Sequence, residues 1–335
     1  KKYATPQDFD LIGTEFHRWV KDNEERLGLN KSSDFFNFIE KNFYFYTNWY
    51  LKIRKAAENI TPNYEYIFYN AQYNYTLQYP VLLAPLKLDD SDNVCIKKIN
   101  IVSMYIDILI NRRIWNLHSI NYSTMQYNMY TLVREIRGKE VQELVNILYD
   151  RLKNDKETFK SNEGFYLHGM NGRLVHLLLA RMTDYIEIKS GRQSRYKEYI
   201  QRGGKNGYEI EHIWANHFEK HSDEFNNKYE FENYRNKIGD LLLLPKSFNA
   251  SYGDLPYEEK KKYYAAKQNL LAQSLCKETY EHDPRFNKFA TESHLLFKSY
   301  DTFKKSNLDE RQNLYINLAE QIWNPENIKK VLISN

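Results

Sequence analysis

Apolar side chains recur at α-helical spacing along most of this chain, and that periodicity is the strongest restriction on its fold. Phe16, Trp19 and Val20 form the first such pattern. Further helices are predicted at about 99–115, 138–154, 171–188, 256–275 and 308–323. Pro80 interrupts an apolar run, where it would kink a helix or separate two helices. The sequence therefore predicts a mainly α protein.

The length of 335 residues favours two packed units, because a single hydrophobic core stops growing below this size. We expect an N-terminal all-α scaffold domain at residues 1–160 and a second domain at residues 161–335. The chain opens on lysine inside an already polar helical pattern, so we also expect it to be part of a longer protein.

Composition excludes several classes of protein. Hydrophobic residues make up 42% and charged residues 27%, and no apolar run approaches the roughly 18 residues that span a bilayer. Cys95 and Cys276 are too few for a disulfide framework or a zinc cage, so we expect buried thiols in a protein of the bacterial cytoplasm. The net charge of +4 permits nucleic acid as a partner without requiring it.

Two strand-like segments stand out from the helical background. Tyr208 and Ile210 alternate as in a short strand, residues 241–244 suit a buried strand, and a helix is predicted to begin near Pro256. The order strand, long loop, strand, helix predicts a small ββα unit at about 208–268. In such a unit the strand ends and the helix start converge on a point that can hold one metal ion.

Residues in these segments suit hydrolysis of a phosphodiester. His212 can accept a proton near neutral pH. Glu211 and the amide oxygen of Asn249 are the kind of ligands that hold a hard divalent ion together with several waters. Neighbouring residues of a strand face opposite ways, so Glu211 and His212 can serve one site only if the strand ends or bulges there. Magnesium is the expected ion and manganese its expected substitute.

The segments EHI, IGDLLLL and FNAS resemble the HNH-like C-terminal nuclease domain of GmrSD-type modification-dependent (type IV) restriction enzymes and related phage-defence proteins. That family has a Glu-His pair followed by proline, a G-N-L-x-L-L strand, a downstream asparagine and a lysine in the closing helix. The resemblance implies that His212 is the general base, that Glu211 and Asn249 bind the metal, and that Lys260 or Lys261 is the helix lysine.

Two positions depart from the family pattern. Ala215 replaces a proline that only stiffens a turn. Asp240, which the resemblance places in the catalytic set, replaces the asparagine that braces the metal loop. It can accept that brace's backbone hydrogen bonds but cannot donate an amide bond, and it adds a negative charge. The resemblance further implies modified phage DNA as substrate and an N-terminal nucleotide-handling domain absent from this chain.

A basic run of local net charge +5 precedes the strand pair at residues 189–205. We expect it to contact DNA phosphates, although a solvated loop is the open alternative. With the helix lysines, the predicted DNA-binding residues are Arg192, Arg195, Lys197, Arg202, Lys205, Lys260 and Lys261.

Two other interpretations stay open. His217 and His221 are four residues apart and could form a zinc site that stabilises the domain. A catalytically silent DNA-binding or interaction module is the second alternative, in which Asp240 marks a degenerate site. A single HNH site cuts one strand at a time, so a double-strand break would need a homo-oligomer or repeated nicking.

Overall fold

The computed structural model describes residues 8–265 and 268–333 of a mainly helical protein. The outer limits of the two predicted domains, and residues 266–267 inside the predicted ββα unit and the predicted helix at 256–275, lie outside the described residues. No helix within the described ranges is long and apolar enough to cross a membrane.

The first half of the described chain is helical throughout. Its α-helices are α1 Asp8–Thr14, α2 Phe16–Asp22, α3 Glu24–Leu27, α4 Ser32–Asn37, α5 Tyr44–Glu58, α6 Glu65–Gln72, α7 Gln78–Leu83, α8 Asp92–Trp115, α9 Tyr122–Ile136 and α10 Val141–Lys153. A π-helical segment, Phe38–Phe43, joins α4 to α5.

The second half combines helices with one two-stranded sheet. Its α-helices are α11 Gly172–Lys189, α12 Tyr196–Tyr199, α13 Lys228–Arg235, α14 Lys246–Tyr252, α15 Tyr257–Tyr264, α16 Leu270–Gln273, α17 Lys277–His282, α18 Pro284–Glu292, α19 Lys305–Ile322 and α20 Glu326–Lys330. The strands are β1 Tyr208–His212 and β2 Leu241–Pro245, and single 3₁₀ turns lie at Phe159–Ser161, Phe218–His221 and Ile238–Asp240.

Contacts divide the described residues into two compact units. One unit lies within 1–113, 118–156 and 325–335, and the other within 114–117 and 157–324. The domain assignment of the sequence, 1–160 and 161–335, remains a prediction, because dense contacts do not establish that each part folds alone.

The first unit is built around α8, which is buried on every side from Ile101 to Arg112. The polar residues buried within this helix find partners inside the protein, as when the Asn111 side chain donates to the Asp107 carboxylate at 3.0 Å. Helix α8 begins at Asp92, earlier than the predicted start at about residue 99. Pro80 lies in the first turn of α7, where no backbone donor is needed, so the prediction that it separates two helices is wrong.

The second unit holds the sheet against two helices. Strands β1 and β2 are antiparallel, with Glu211 opposite Leu242 and His212 opposite Leu241. Residues 241–244 are fully buried, which confirms the predicted interior strand. Helix α11 packs on β2, and α19 packs on the turn Ile238–Asp240 that leads into it.

Gly239 makes the approach of α19 possible. A Cβ atom on this residue would lie 2.6 Å from the carbonyl oxygen of Leu308 and 2.7 Å from the backbone nitrogen of Gln312. The Gly239 N–H also donates to the side chain of Gln312 at 2.8 Å. The glycine of the I-G-D segment is therefore required by close backbone contact.

Candidate active site

Strand β1 ends at His212. A strand end at this point is what would allow the neighbouring residues Glu211 and His212 to serve one site. The Glu211 side chain contacts Lys260 on α15, with Nζ 2.5 Å from Oε1. The His212 ring instead contacts Asn236, which directly follows α13, with Nε2 3.0 Å from Oδ1. The strand end thus directs the carboxylate and the imidazole towards different helices.

Lys260 is buried and joins the two residues of the Glu-His pair. Besides the Glu211 carboxylate, its Nζ donates to the backbone oxygen of His212 at 2.8 Å. Burial raises the pKa of Glu211, and the positive charge of Lys260 opposes that rise. Lys260 was predicted as a helix lysine that contacts DNA; in this structure it is an interior ion-pair partner, and Lys261 pairs with Asp301 at 3.2 Å.

His212 is held in its neutral form. Its burial, followed by the nearby charge of Arg235, lowers the pKa of the imidazole to about 3. Because the Oδ1 atom of Asn236 only accepts hydrogen bonds, Nε2 is assigned as the donor and Nδ1 carries the lone pair. The ring is therefore oriented so that Nδ1 is its proton acceptor at neutral pH.

Asp240 braces the segment that follows the Glu-His pair. Its carboxylate accepts the backbone N–H of Trp214 at 3.2 and 3.4 Å, and its carbonyl accepts the N–H of Ile213 at 2.8 Å. The prediction that aspartate could accept the backbone bonds of the brace is confirmed. Complete burial raises the pKa of Asp240 well above its ordinary value, against the opposing charge of Arg235.

Arg235 completes the brace from the other side of the same segment. Its Nε donates to the backbone oxygen of Trp214 at 2.9 Å. The positive charge of Arg235 lowers the pKa of His212 in addition to the effect of burial, and it opposes the rise that burial causes in the pKa of Asp240. Burial lowers the pKa of Arg235 itself, and the charges of Asp240 and Glu211 oppose that fall.

Asn249 lies on α14, which begins immediately after β2. Its Nδ2 faces the backbone oxygen of Ile210 at 3.4 Å, so the amide lies against the strand just before Glu211. Its Oδ1 is buried and has no hydrogen-bond partner among the described residues. A buried amide oxygen without a partner costs free energy unless something else binds it.

These donors fit a hard divalent ion. Mg²⁺ is commonly held by one or two protein oxygens and several waters. The buried carboxylate of Glu211 and the amide oxygen of Asn249, which has no partner among the described residues, are oxygens of that kind. Glu211 and Asn249 are the residues that could hold it.

The zinc interpretation finds less support. His217 contacts Glu219 at 2.9 Å, while His221 contacts Glu224 at 3.3 Å and stacks on Phe231. The described part of the chain contains no group of three or more His, Cys, Asp or Glu side chains that could hold a metal. Both cysteines are buried free thiols, as predicted, so they offer no zinc cage.

The predicted basic run divides into two groups. Arg192 pairs with Glu187 at 3.2 Å and with Asp283 at 2.8 Å, and Arg195 pairs with Glu198 at 2.7 Å. These two arginines are occupied by contacts within the protein.

The rest of the run is exposed to solvent, namely Lys189, Lys197, Arg202 and Lys205. Arg202 and Lys205 make no ion pair with any described residue. They are the part of the run that the structure leaves most open to an external phosphate.

Two residues of the site escaped the sequence reasoning. Arg235 and Asn236 lie in the loop between the strands, where the sequence offers no strand-like alternation. A signal for α13 was present, since Asn227 precedes Glu230 at capping distance and its side chain accepts the Glu230 N–H at 2.9 Å. That helix places Arg235 and Asn236 beside the end of β1.

Comparison with known protein families places the chain in a class of C-terminal domains of restriction endonucleases. The family model described as "GmrSD restriction endonucleases, C-terminal domain" matches residues 149–318, about half of the chain, and the chain belongs to that family. The resemblance found in the sequence is thereby confirmed. No curated protein and no solved structure matched the chain.

Proposed function

We propose that this chain is a metal-dependent HNH-type DNA endonuclease and the effector part of a modification-dependent restriction or phage-defence protein. The observation that carries the proposal is a set of three groups that lie on or against the last three residues of β1. They are the neutral His212, the carboxylate of Glu211, and the Oδ1 of Asn249, which is buried without a partner among the described residues. The family to which the chain belongs supports DNA as the substrate.

His212 would act as the general base. Its Nε2–H is engaged by Asn236, which leaves Nδ1 to take a proton from an attacking water. The low pKa keeps the imidazole unprotonated across the physiological range but makes it a weak base. Binding of a negatively charged phosphate near Arg235 and Lys260 would offset their charges and strengthen that base.

Glu211 and Asn249 would hold Mg²⁺, or Mn²⁺ in its place. The ion would supply positive charge for the scissile phosphate and the leaving oxygen. Lys260 then has a positioning role, because it holds both the Glu211 carboxylate and the His212 carbonyl. Asp240 would likewise position the loop and not touch the substrate, because its side chain is fully buried.

The ββα unit of this proposal consists of β1, β2 and the helices that follow β2. The predicted helix near Pro256 corresponds to α15, which starts at Tyr257 and carries Lys260. A further helix, α14, follows β2 directly and carries Asn249. Both helices bring a side chain to the last three residues of β1, and this placement supports the proposal.

Plasmid nicking by the full chain tests the proposal. Supercoiled DNA with Mg²⁺ or Mn²⁺ should be nicked by the wild type, and His212→Ala should lower the rate by about 10² to 10⁴. Glu211→Ala and Asn249→Ala should lose metal-dependent cleavage. His217→Ala is the matched control, since this histidine contacts Glu219 and Asp254 at the surface, and it should nick normally.

DNA affinity should change little in His212→Ala, because a general base contributes little to ground-state binding. Circular dichroism of each variant separates lost chemistry from lost folding. A folded His212→Ala protein that nicks at the wild-type rate would exclude the HNH assignment.

A catalytically silent DNA-binding module is the second candidate. The observation that favours it is the Lys260 ion pair, which occupies a carboxylate that the metal would need, together with aspartate at position 240. This candidate predicts DNA binding by the wild type without nicking in either metal, whereas the endonuclease proposal predicts nicking that EDTA abolishes.

A further inference from the structure

We propose that the first unit contains a binding site for a small organic anion with an apolar body, and that Arg137 recognises the anionic group. The site is a cavity formed by α5, α7, α9 and the π-helical segment Phe38–Phe43. It lies in a part of the chain that precedes the family match and is independent of the proposed nuclease chemistry.

The cavity is large enough for a metabolite-sized molecule. Its volume of about 740 Å³ falls in the range of about 300–1,000 Å³ typical of ligand pockets. Its apolar lining includes Leu77, Val81, Leu86, Met129 and Val133. A space of this size with a mainly apolar lining and a few polar groups is typical of a site for a small molecule.

Tyrosine rings form part of the wall and one of them is fixed in place. Tyr46, Tyr122 and Tyr130 line the cavity, and the Tyr46 hydroxyl donates to the carbonyl oxygen of Leu86 at 2.9 Å. Rings held by such bonds offer rigid apolar faces at low cost in conformational entropy. They suit either an aromatic ring or an alkyl chain as the body of the ligand.

Arg137 is a cation of the lining that lacks an acidic partner. Its guanidinium is half-buried and makes no ion pair or hydrogen bond within the described residues, and burial lowers its pKa. The other lining cation, Lys87, is already paired with Glu140. None of the described residues that line the cavity is an aspartate or glutamate.

The backbone around Arg137 is preorganised. Arg137 follows the last residue of α9, and the next residue, Gly138, has a φ of 62° and donates its N–H to the carbonyl of Ala84 at 3.0 Å. This bond fixes the end of α9 against the end of α7. Closeness to a helix C-terminus stabilises a cation there, but leaves its donors unused. A carboxylate or phosphate would accept those donors in a bidentate pair.

Calorimetric titration of the full chain with three probes tests the site. Decanoate has an alkyl body and a carboxylate, AMP has an aromatic body and a phosphate, and decanol has an alkyl body without charge. We expect decanoate or AMP to bind, and the probe that binds identifies which source of the shared chemistry fits. Decanol should bind at least about tenfold more weakly than decanoate if the anion is recognised.

Matched variants assign the binding to Arg137. Arg137→Gln should weaken the bound anion at least about tenfold, and Arg137→Lys less. Arg54→Gln, which changes an exposed arginine of α5 that does not line the cavity, should leave binding unchanged. Val133→Trp should abolish binding by filling the cavity, with circular dichroism confirming that each variant folds.

Two results would overturn the proposal. One is the absence of binding by decanoate and AMP at about millimolar concentration, which is the weakest affinity worth assigning to a built site. The other is equal binding of decanoate and decanol that Arg137→Gln does not change, which would describe an apolar cavity only. Neither result depends on nicking, so failure here is distinguishable from failure of the endonuclease proposal.

Discussion

Replacing Asp240 with asparagine removes one ionisable group from the interior while keeping its shape. The Asp240 side chain is fully buried and accepts the Trp214 N–H at 3.2 and 3.4 Å. The amide oxygen of asparagine can accept the same hydrogen bond. The variant should therefore keep the fold and change only how stability depends on pH.

The sign of that dependence follows from the raised pKa of Asp240. Because folding favours the protonated carboxyl, its contribution to stability is complete below the unfolded pKa of about 3.9 and is lost as pH rises towards the folded pKa. Within that window the free energy of unfolding falls by about 1.4 kcal/mol per pH unit. An asparagine at this position has no proton to lose. As pH rises within this window, the unfolding free energy of the variant should therefore increase relative to that of the wild type by about 1.4 kcal/mol per pH unit.

Urea unfolding of wild type and variant between about pH 4 and pH 8 measures the difference directly, since the other titrating groups are common to both proteins. Asp254→Asn is the control, because that carboxylate is exposed, and it should show no such divergence. A difference in unfolding free energy that stays constant with pH would refute the reasoning. It would mean that Arg235 and Lys260 hold Asp240 ionised at every pH.

Two further predictions follow from the packing and the charge distribution of the second unit. Gly239→Ala should lower the unfolding free energy by about 1–3 kcal/mol through overpacking against α19, whereas Gly203→Ala, whose Cβ would meet nothing within 4 Å, should not lower the melting temperature comparably. Arg202→Glu with Lys205→Glu should weaken DNA binding and flatten its salt dependence, whereas Arg192→Glu should chiefly lower the melting temperature because it breaks two internal ion pairs.

The sequence predicted correctly those elements in which the buried side chains are apolar residues at regular spacing. Helix α10 and strand β2 each bury a regular set, and their positions agree with the sequence. The last long helix was predicted to begin at about residue 308, yet α19 begins at Lys305, where the Asn307 side chain accepts the N–H of Lys304 at 2.9 Å. Overlapping polar residues offer several cap registers, and only tertiary contacts choose among them.

The sequence indicated the site residues that lie on the strands or soon after them. It did not indicate the residues that only long-range contacts bring to the site. Glu211, His212 and Asn249 could be proposed because strand ends are visible in the sequence. Arg235 and Asn236 come from a helix inside a loop with no strand periodicity, so nothing local indicated that they contact the end of β1. The interior pairing of Lys260 was equally invisible, because a lysine-rich helix is ordinarily an exposed one.

The buried charges around His212 are better explained by position than by stability. Removing one partner of a buried ion pair costs about 3–5 kcal/mol, but replacing the whole pair by apolar residues is often neutral or favourable, so stability alone does not require these residues. Here each of three polar side chains holds a backbone atom of residues 212–214. Lys260 holds the carbonyl of His212, Asp240 the N–H of Trp214, and Arg235 the carbonyl of Trp214. An apolar core would leave those three backbone atoms without partners, so the segment that carries the imidazole would be free to move.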